Sequence, residues 1–244
     1  MFRKLLAATT LILLSGIAQS ATLAVFPDIN MIASDSMTNT GNQAVFNGLL
    51  GADNAVRVWA PNGSTYHNDL AAYYSNSGAA VSVTNTSSGA IPGATPGSTG
   101  LLVLSFNYAS SFYFSGSQTQ YLIDHMDAGG NLAIILEVSS NSSSHNQMNV
   151  LLANLGSSIR YASNDRVGPG YQNTNDVSGD LMNGATSFRF AYANPLTGGT
   201  SNVRVGGTAI VASEVLGGDP VPVPAAVWLF GSALAGLGWM RRRA

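Results

Sequence analysis

Three histidines, His67, His125 and His145, are the candidate general bases of this chain, and it has no cysteine to act as a nucleophile or a thiolate ligand. Ser139 lies close before His145, but serine is so abundant here that nearness in sequence alone does not make a Ser–His pair. The turn Glu137-Val138-Ser139-Ser140 also lacks the flanking glycines of a nucleophile elbow. No catalytic residue is assigned. Oxygen ligands are the next option. Asp28 and Asp35 bracket the loop after the first apolar run, and Asp165, Asp176 and Asp180 fall in a Gly/Asn-rich stretch. None of these has the spacing of an EF-hand loop, so they read as solvated loop carboxylates, and no metal or other cofactor is expected. Gly129-Gly130, Gly198-Gly199 and Gly206-Gly207 fit no phosphate-binding fingerprint and read as caps and turns. Tyr108, Phe112, Tyr113 and Phe114 crowd one Ser-rich loop, where rings either stack on a sugar or pack over the next helix. Asp28, Asp35, Tyr113 and Phe114 are therefore the candidate ligand face, at the carboxyl edge of the strands that precede them.

The elements that would position these residues alternate. Thr22–Phe26, Ala55–Trp59, Ala79–Val83, Leu101–Phe106 and Leu132–Leu136 read as strands. LLVLSF and LAIIL are apolar throughout, as strands buried on both faces are. Helical spacing recurs at Asn42–Leu50, His67–Asn76, Ser117–Ala128 and His145–Leu155, the last with Met148, Leu151, Leu152 and Leu155 on one face. Gly51, Gly78, Gly129 and Gly156 stand where those helices should stop. Ile159–Ala162 resumes as strand. Asn164–Gly184 shows no period and reads as a polar loop, and Thr186–Tyr192 and Val203–Val211 read as strands of an edge hairpin or extension. The expectation is α/β: a small, mostly parallel sheet flanked by helices, with a β-rich C-terminal extension.

Composition narrows the classes. Only 9% of the 244 residues are charged, and 45% are hydrophobic, which disfavours disorder. Zero cysteine excludes a disulfide scaffold. Charge is segregated: Arg3, Lys4, Arg241, Arg242 and Arg243 sit at the ends, while five arginines face all twelve acids between, a formal −7. An acidic middle with scattered arginines disfavours nucleic acid as a partner.

Both ends read as addresses. Arg3 and Lys4, the apolar Leu5–Ile17 and the small-residue site Ala18-Gln19-Ser20 compose a secretory signal over 1–20, cut before Ala21. The expected domain is then 21–216, with a linker over 217–224 and a membrane helix over 225–244. Ala225 to Met240 carries no charge, and Arg241-Arg242-Arg243 would hold the cytoplasmic side. The run is a little shorter than the ~20 residues of a comfortable span, which Val221–Pro224 can extend. This tail resembles the PEP-CTERM sorting signal of Gram-negative bacteria, in Val221-Pro222-Val223-Pro224, in AAVWLFGSALAGL and in the terminal arginines. Val223 stands where the namesake pattern has Glu. The resemblance implies processing by signal peptidase and an exosortase and at least transient residence in the inner membrane. Delivery to the cell surface or extracellular matrix follows, with a link to exopolysaccharide or biofilm.

The middle resembles the class I glutamine amidotransferase-like, flavodoxin-like fold, in Asn42–Gly51, Leu101–Phe106, Asp127–Leu136 and Asn149–Gly156. That activity needs a cysteine nucleophile, which is missing. The expectation is a non-enzymatic exported surface protein. A polysaccharide-binding module and a degenerate hydrolase using Ser139 and His145 are the alternatives.

Overall fold

The computed structural model describes residues 20–50, 53–61, 65–85, 100–106, 114–136 and 142–217. Strand β1 (Ala21–Phe26) leads through a short 3-10 turn (Ile29–Ile32) to α1 (Ser34–Met37) and α2 (Thr40–Leu50). Then come β2 (Ala55–Trp59), α3 (Thr65–Asn76), β3 (Ala80–Thr84), β4 (Leu101–Phe106), α4 (Gly116–Asp127), β5 (Asn131–Leu136) and α5 (Ser142–Asn154). The C-terminal part holds β6 (Arg160–Tyr161), β7 (Gln172–Thr174), β8 (Phe188–Phe190), β9 (Leu196–Thr197), β10 (Thr200–Val205) and β11 (Thr208–Leu216). The elements expected up to α5 are all present, with ends displaced by a few residues.

The main sheet runs β3-β2-β4-β5-β1-β11-β9-β6, with β10 also paired to β11. The first five strands are parallel to one another. Beyond β1 every pairing is antiparallel, so the sheet is mixed, not mostly parallel throughout. Of the two readings of the β-rich C-terminal part the extension holds: β11 pairs with β1 along Ala21–Val25 and lengthens the main sheet, with β10 and β11 as a hairpin within it. One expectation is corrected here: Val203–Val211 is not one strand. Gly206 and Gly207 both adopt positive φ and turn the chain back between β10 and β11, a conformation cheap only for glycine. The expected loop 164–184 also contains β7, paired with β8, and a 3-10 turn at Asp180–Met182. Its ladder and bridge partners, Phe188–Phe190, Ala193 and Val203, lie outside the segment, which leaves no local period to read.

Strand order differs from the flavodoxin-like 2-1-3-4-5, in which the first strand lies between the second and third. Here β1 lies between β5 and β11. The alternation of strands and helices matches the resemblance; the order does not.

Two buried layers sandwich the sheet, because side chains alternate across each strand. Ala24, Phe26, Val56, Val58, Val103 and Ile135 face α2 and α3 through Phe46, Leu49, Leu70 and Tyr74. Leu23, Val25, Leu102, Leu104, Ile134 and Leu136 face α4 and α5 through Leu122, Met126, Met148 and Leu152. All six residues of β4 are buried. A strand with helices on both sides has no solvated face, and its unbroken apolar run follows.

Candidate functional site

Chain direction diverges between β2 and β4. The first leads to β3 by α3 on one face, and the second leads to β5 by α4 on the other. The carboxyl ends at such a divergence are where α/β sheets usually open to ligands. Here Trp59 ends β2 and Phe106 ends β4, and Phe114 joins them. Their ring centroids are 5.8–5.9 Å apart in edge-to-face contacts. Phe114, placed on the candidate ligand face from sequence, is thus packed into an aromatic cluster beside α4. Tyr113 lies outside the described residues, as do Tyr108, Phe112, Glu137, Ser139 and Ser140.

Asp28 is also corrected. It follows β1 but is fully buried. Its Oδ1 accepts from the backbone N–H and side-chain amide of Asn30, at 2.9 and 2.7 Å, and its Oδ2 accepts from Ala191 N–H at 2.7 Å. The carboxyl caps the 3-10 turn and ties it to the segment after β8. Burial pushes it above the usual carboxylate range against the pull of those donors. It clamps structure and cannot meet a ligand in solvent. Asp35, in the first turn of α1, is exposed. The structure therefore separates Asp28, Asp35 and Phe114 into three different environments.

What the carboxyl end of β1 does expose was not singled out in the sequence. The Tyr171 hydroxyl donates to Asn30 Oδ1 at 3.1 Å, and Arg189 places its guanidinium 5.1 Å from the Tyr171 ring centroid. Partial burial, with Tyr66, Asp28 and Asp35 close by, pushes the Tyr171 phenol up to about 12. Arg189 is held from behind. Asn42 on α2 accepts from Arg189 N–H and donates to Arg189 C=O, at 2.8 and 2.9 Å, and also donates to Met31 C=O. The only hint in the sequence was FRF, an arginine between two inward phenylalanines.

The histidines do not assemble. His67 is on α3, across the sheet from His125 on α4 and His145 on α5. All three are buried, and burial lowers each pKa, so each is neutral near pH 7. His125 Nε2 faces the Asn131 carbonyl at 2.9 Å, and its ring fills the space where a Cβ on Gly130 would be. The His145 ring lies 5.3 Å from that of Tyr161, and its Nε2 has no hydrogen-bond partner among the described residues. These are packing positions. Arg57 is a half-buried mid-strand residue beside Tyr121.

Among the described residues no group of three or more His, Asp or Glu could hold a metal ion. A groove of about 350 Å³ runs between α4 and α5, with Phe114, Val150 and Leu151 as its apolar lining. A second of about 260 Å³, lined by Asp180, Asn202 and Glu214 among others, lies beside Thr22 and Val215. No family model, curated protein or solved structure matches this chain.

Proposed function

We propose that this chain is an exported bacterial surface or extracellular-matrix protein, sorted by its C-terminal tail and without enzymatic activity of its own. The observation that carries the reading is the tail itself: Val221-Pro222-Val223-Pro224, an uncharged Ala225–Met240, then Arg241-Arg242-Arg243. The secretory pattern over 1–20 supplies the export step. The chemistry is done on the protein, by signal peptidase before Ala21 and by an exosortase near Pro222–Pro224. The inner membrane holds it in between.

Among the described residues no helix is long and apolar enough to cross a membrane. The segments 1–19 and 218–244, which the reading depends on, lie outside them. The folded part is consistent with two removable ends. Ala21 and Leu216 are register partners on adjacent antiparallel strands, so the described domain begins and ends side by side, which supports the reading. The stretch from Leu216 to Pro224 spans at most ~29 Å when extended, which bounds how far the proposed tail-processing site lies from the domain. The α/β scaffold supplies no activity by analogy, since the amidotransferase-like chemistry would need the absent cysteine.

Intact mass of the protein from its native host's envelope and medium tests the reading. The expected species lacks Met1–Ser20 and everything beyond about Pro224. A mass that retains Ala225–Ala244 in every fraction would overturn it.

A further inference from the structure

We propose that Tyr171 and Arg189, with Tyr192 and Arg166, form a platform for an acidic polysaccharide whose sugar rings carry carboxylates. The inference needs only the folded domain and stands whether or not the tail is processed. Pairing of β7 with β8 sets Asn173 opposite Arg189, which puts Tyr171 diagonally across from Arg189 on the same face. There the guanidinium lies 5.1 Å from the tyrosine ring. Arg166 repeats the arrangement 5.7 Å from the ring of Tyr192. A Cβ on Gly170 would lie 3.8 Å from the Tyr192 hydroxyl, so the second pair adjoins the residue next to Tyr171. Tyr171 is 44% exposed and Tyr192 37%, in a chain whose described large apolar side chains are mostly buried.

The chemistry of the ligand follows from the pairs. Arg189 Nε is buried with no hydrogen-bond partner among the described residues. That nitrogen is out of a ligand's reach, but the side chain as a whole is half-buried, and a carboxylate meeting the rest of the guanidinium would gain charge-assisted hydrogen bonds. Exposed tyrosine rings offer flat apolar area and a polar rim, which suit the C–H face and hydroxyls of a pyranose. Arg166 over Tyr192 adds a second cation and ring close to the first pair, which a polymer with repeated acid groups could use. The platform sits at the carboxyl end of β1, while Ala21 and Leu216 meet at its amino end. It therefore lies at the opposite end of β1 from Ala21 and Leu216. Asp35, exposed and close enough to act electrostatically on Tyr171, opposes an anion here.

Isothermal titration of the full chain in detergent micelles, with an oligogalacturonate and a neutral cello-oligosaccharide as probes, tests this. The oligogalacturonate should bind, weakening as salt is raised, and the neutral probe should bind at least about tenfold more weakly. Arg189→Gln should lose about tenfold, Arg189→Lys should keep most of the affinity, and Asp35→Asn should tighten binding. Tyr192→Ala, in an exposed position, gives a second reading if an Arg189 variant does not fold. Equal binding of both probes, binding of neither, or an unchanged affinity in folded Arg189→Gln or in Tyr192→Ala would each overturn the proposal.

Discussion

Asp28 shows how one side chain can be chemically suggestive and structurally committed. A carboxylate after a strand of a parallel sheet is where a ligand contact is expected. In the fold it accepts three hydrogen bonds with no exposed surface. Asp28→Ala strands those buried donors and should cost about 3 kcal/mol in urea unfolding. Asp28→Asn keeps an acceptor for the turn and should lose about 1 kcal/mol. If Asp28→Ala melts like the wild type, the clamp is not what holds the turn. The aspartate was legible as important, but its partner Ala191 is far along the chain, and no local pattern announces such a pairing.

At the scale of elements, the tightest junction is between α2 and the segment before β8. Gly41 opens α2 where its backbone presses on the Ser187 carbonyl, and an added Cβ would overlap that oxygen. Backbone on one side and a helix on the other leave nothing flexible to move aside. Gly41→Ala should therefore destabilise by about 2 kcal/mol or more, read as a lower urea midpoint with an unchanged slope. The neighbouring Asn42 joins the same two segments through its amide. Gly48, seven residues along on the same helix, has nothing nearer than 3.5 Å, so Gly48→Ala serves as the control and should be neutral or stabilising. Equal effects at the two glycines would refute the close-contact account.

For the whole molecule, pH is the revealing variable. Burial depresses the pKa of His67, His125 and His145 below the ordinary 6.5. The unfolded chain then takes up protons first, so the contribution of these groups is full above pH 6.5 and is lost as pH falls through the folded values. Glu214 acts in the same direction at lower pH. Burial pushes its carboxyl up, but hydrogen bonds from Ser157 and Ser158 outweigh that and leave it below 4.5. Asp28, pushed up by burial, has the opposite sign: its contribution is full below the ordinary carboxylate range and fades as pH rises through its folded value. The net expectation is a melting temperature that declines below pH 6.5. His145→Phe, which removes a buried group with an unmet Nε2, should make that decline shallower. A melting temperature flat from pH 7 to 5 would show that the histidines titrate normally.

The sequence alone settles the strands and the longer helices up to α5, because their signals are local, but not the short α1 or the 3-10 turn before it. Unbroken apolar runs such as Leu101–Phe106 report burial on two faces, and Met148, Leu151, Leu152 and Leu155 report one helical face. It also holds the two terminal segments on which the sorting proposal rests. Tertiary structure alone decides the rest. Strand order is set by which apolar faces dock, and period carries no record of that, so β1 was not legible as the neighbour of β5 and β11. The polar residues were least legible of all. Whether an Asp, Asn or His meets solvent or a buried amide depends on residues more than a hundred positions away, as Asn42 and Arg189 show. Tyr171 and Arg189 face each other only because β7 pairs with β8, and the β7 segment has no period of its own to announce that contact.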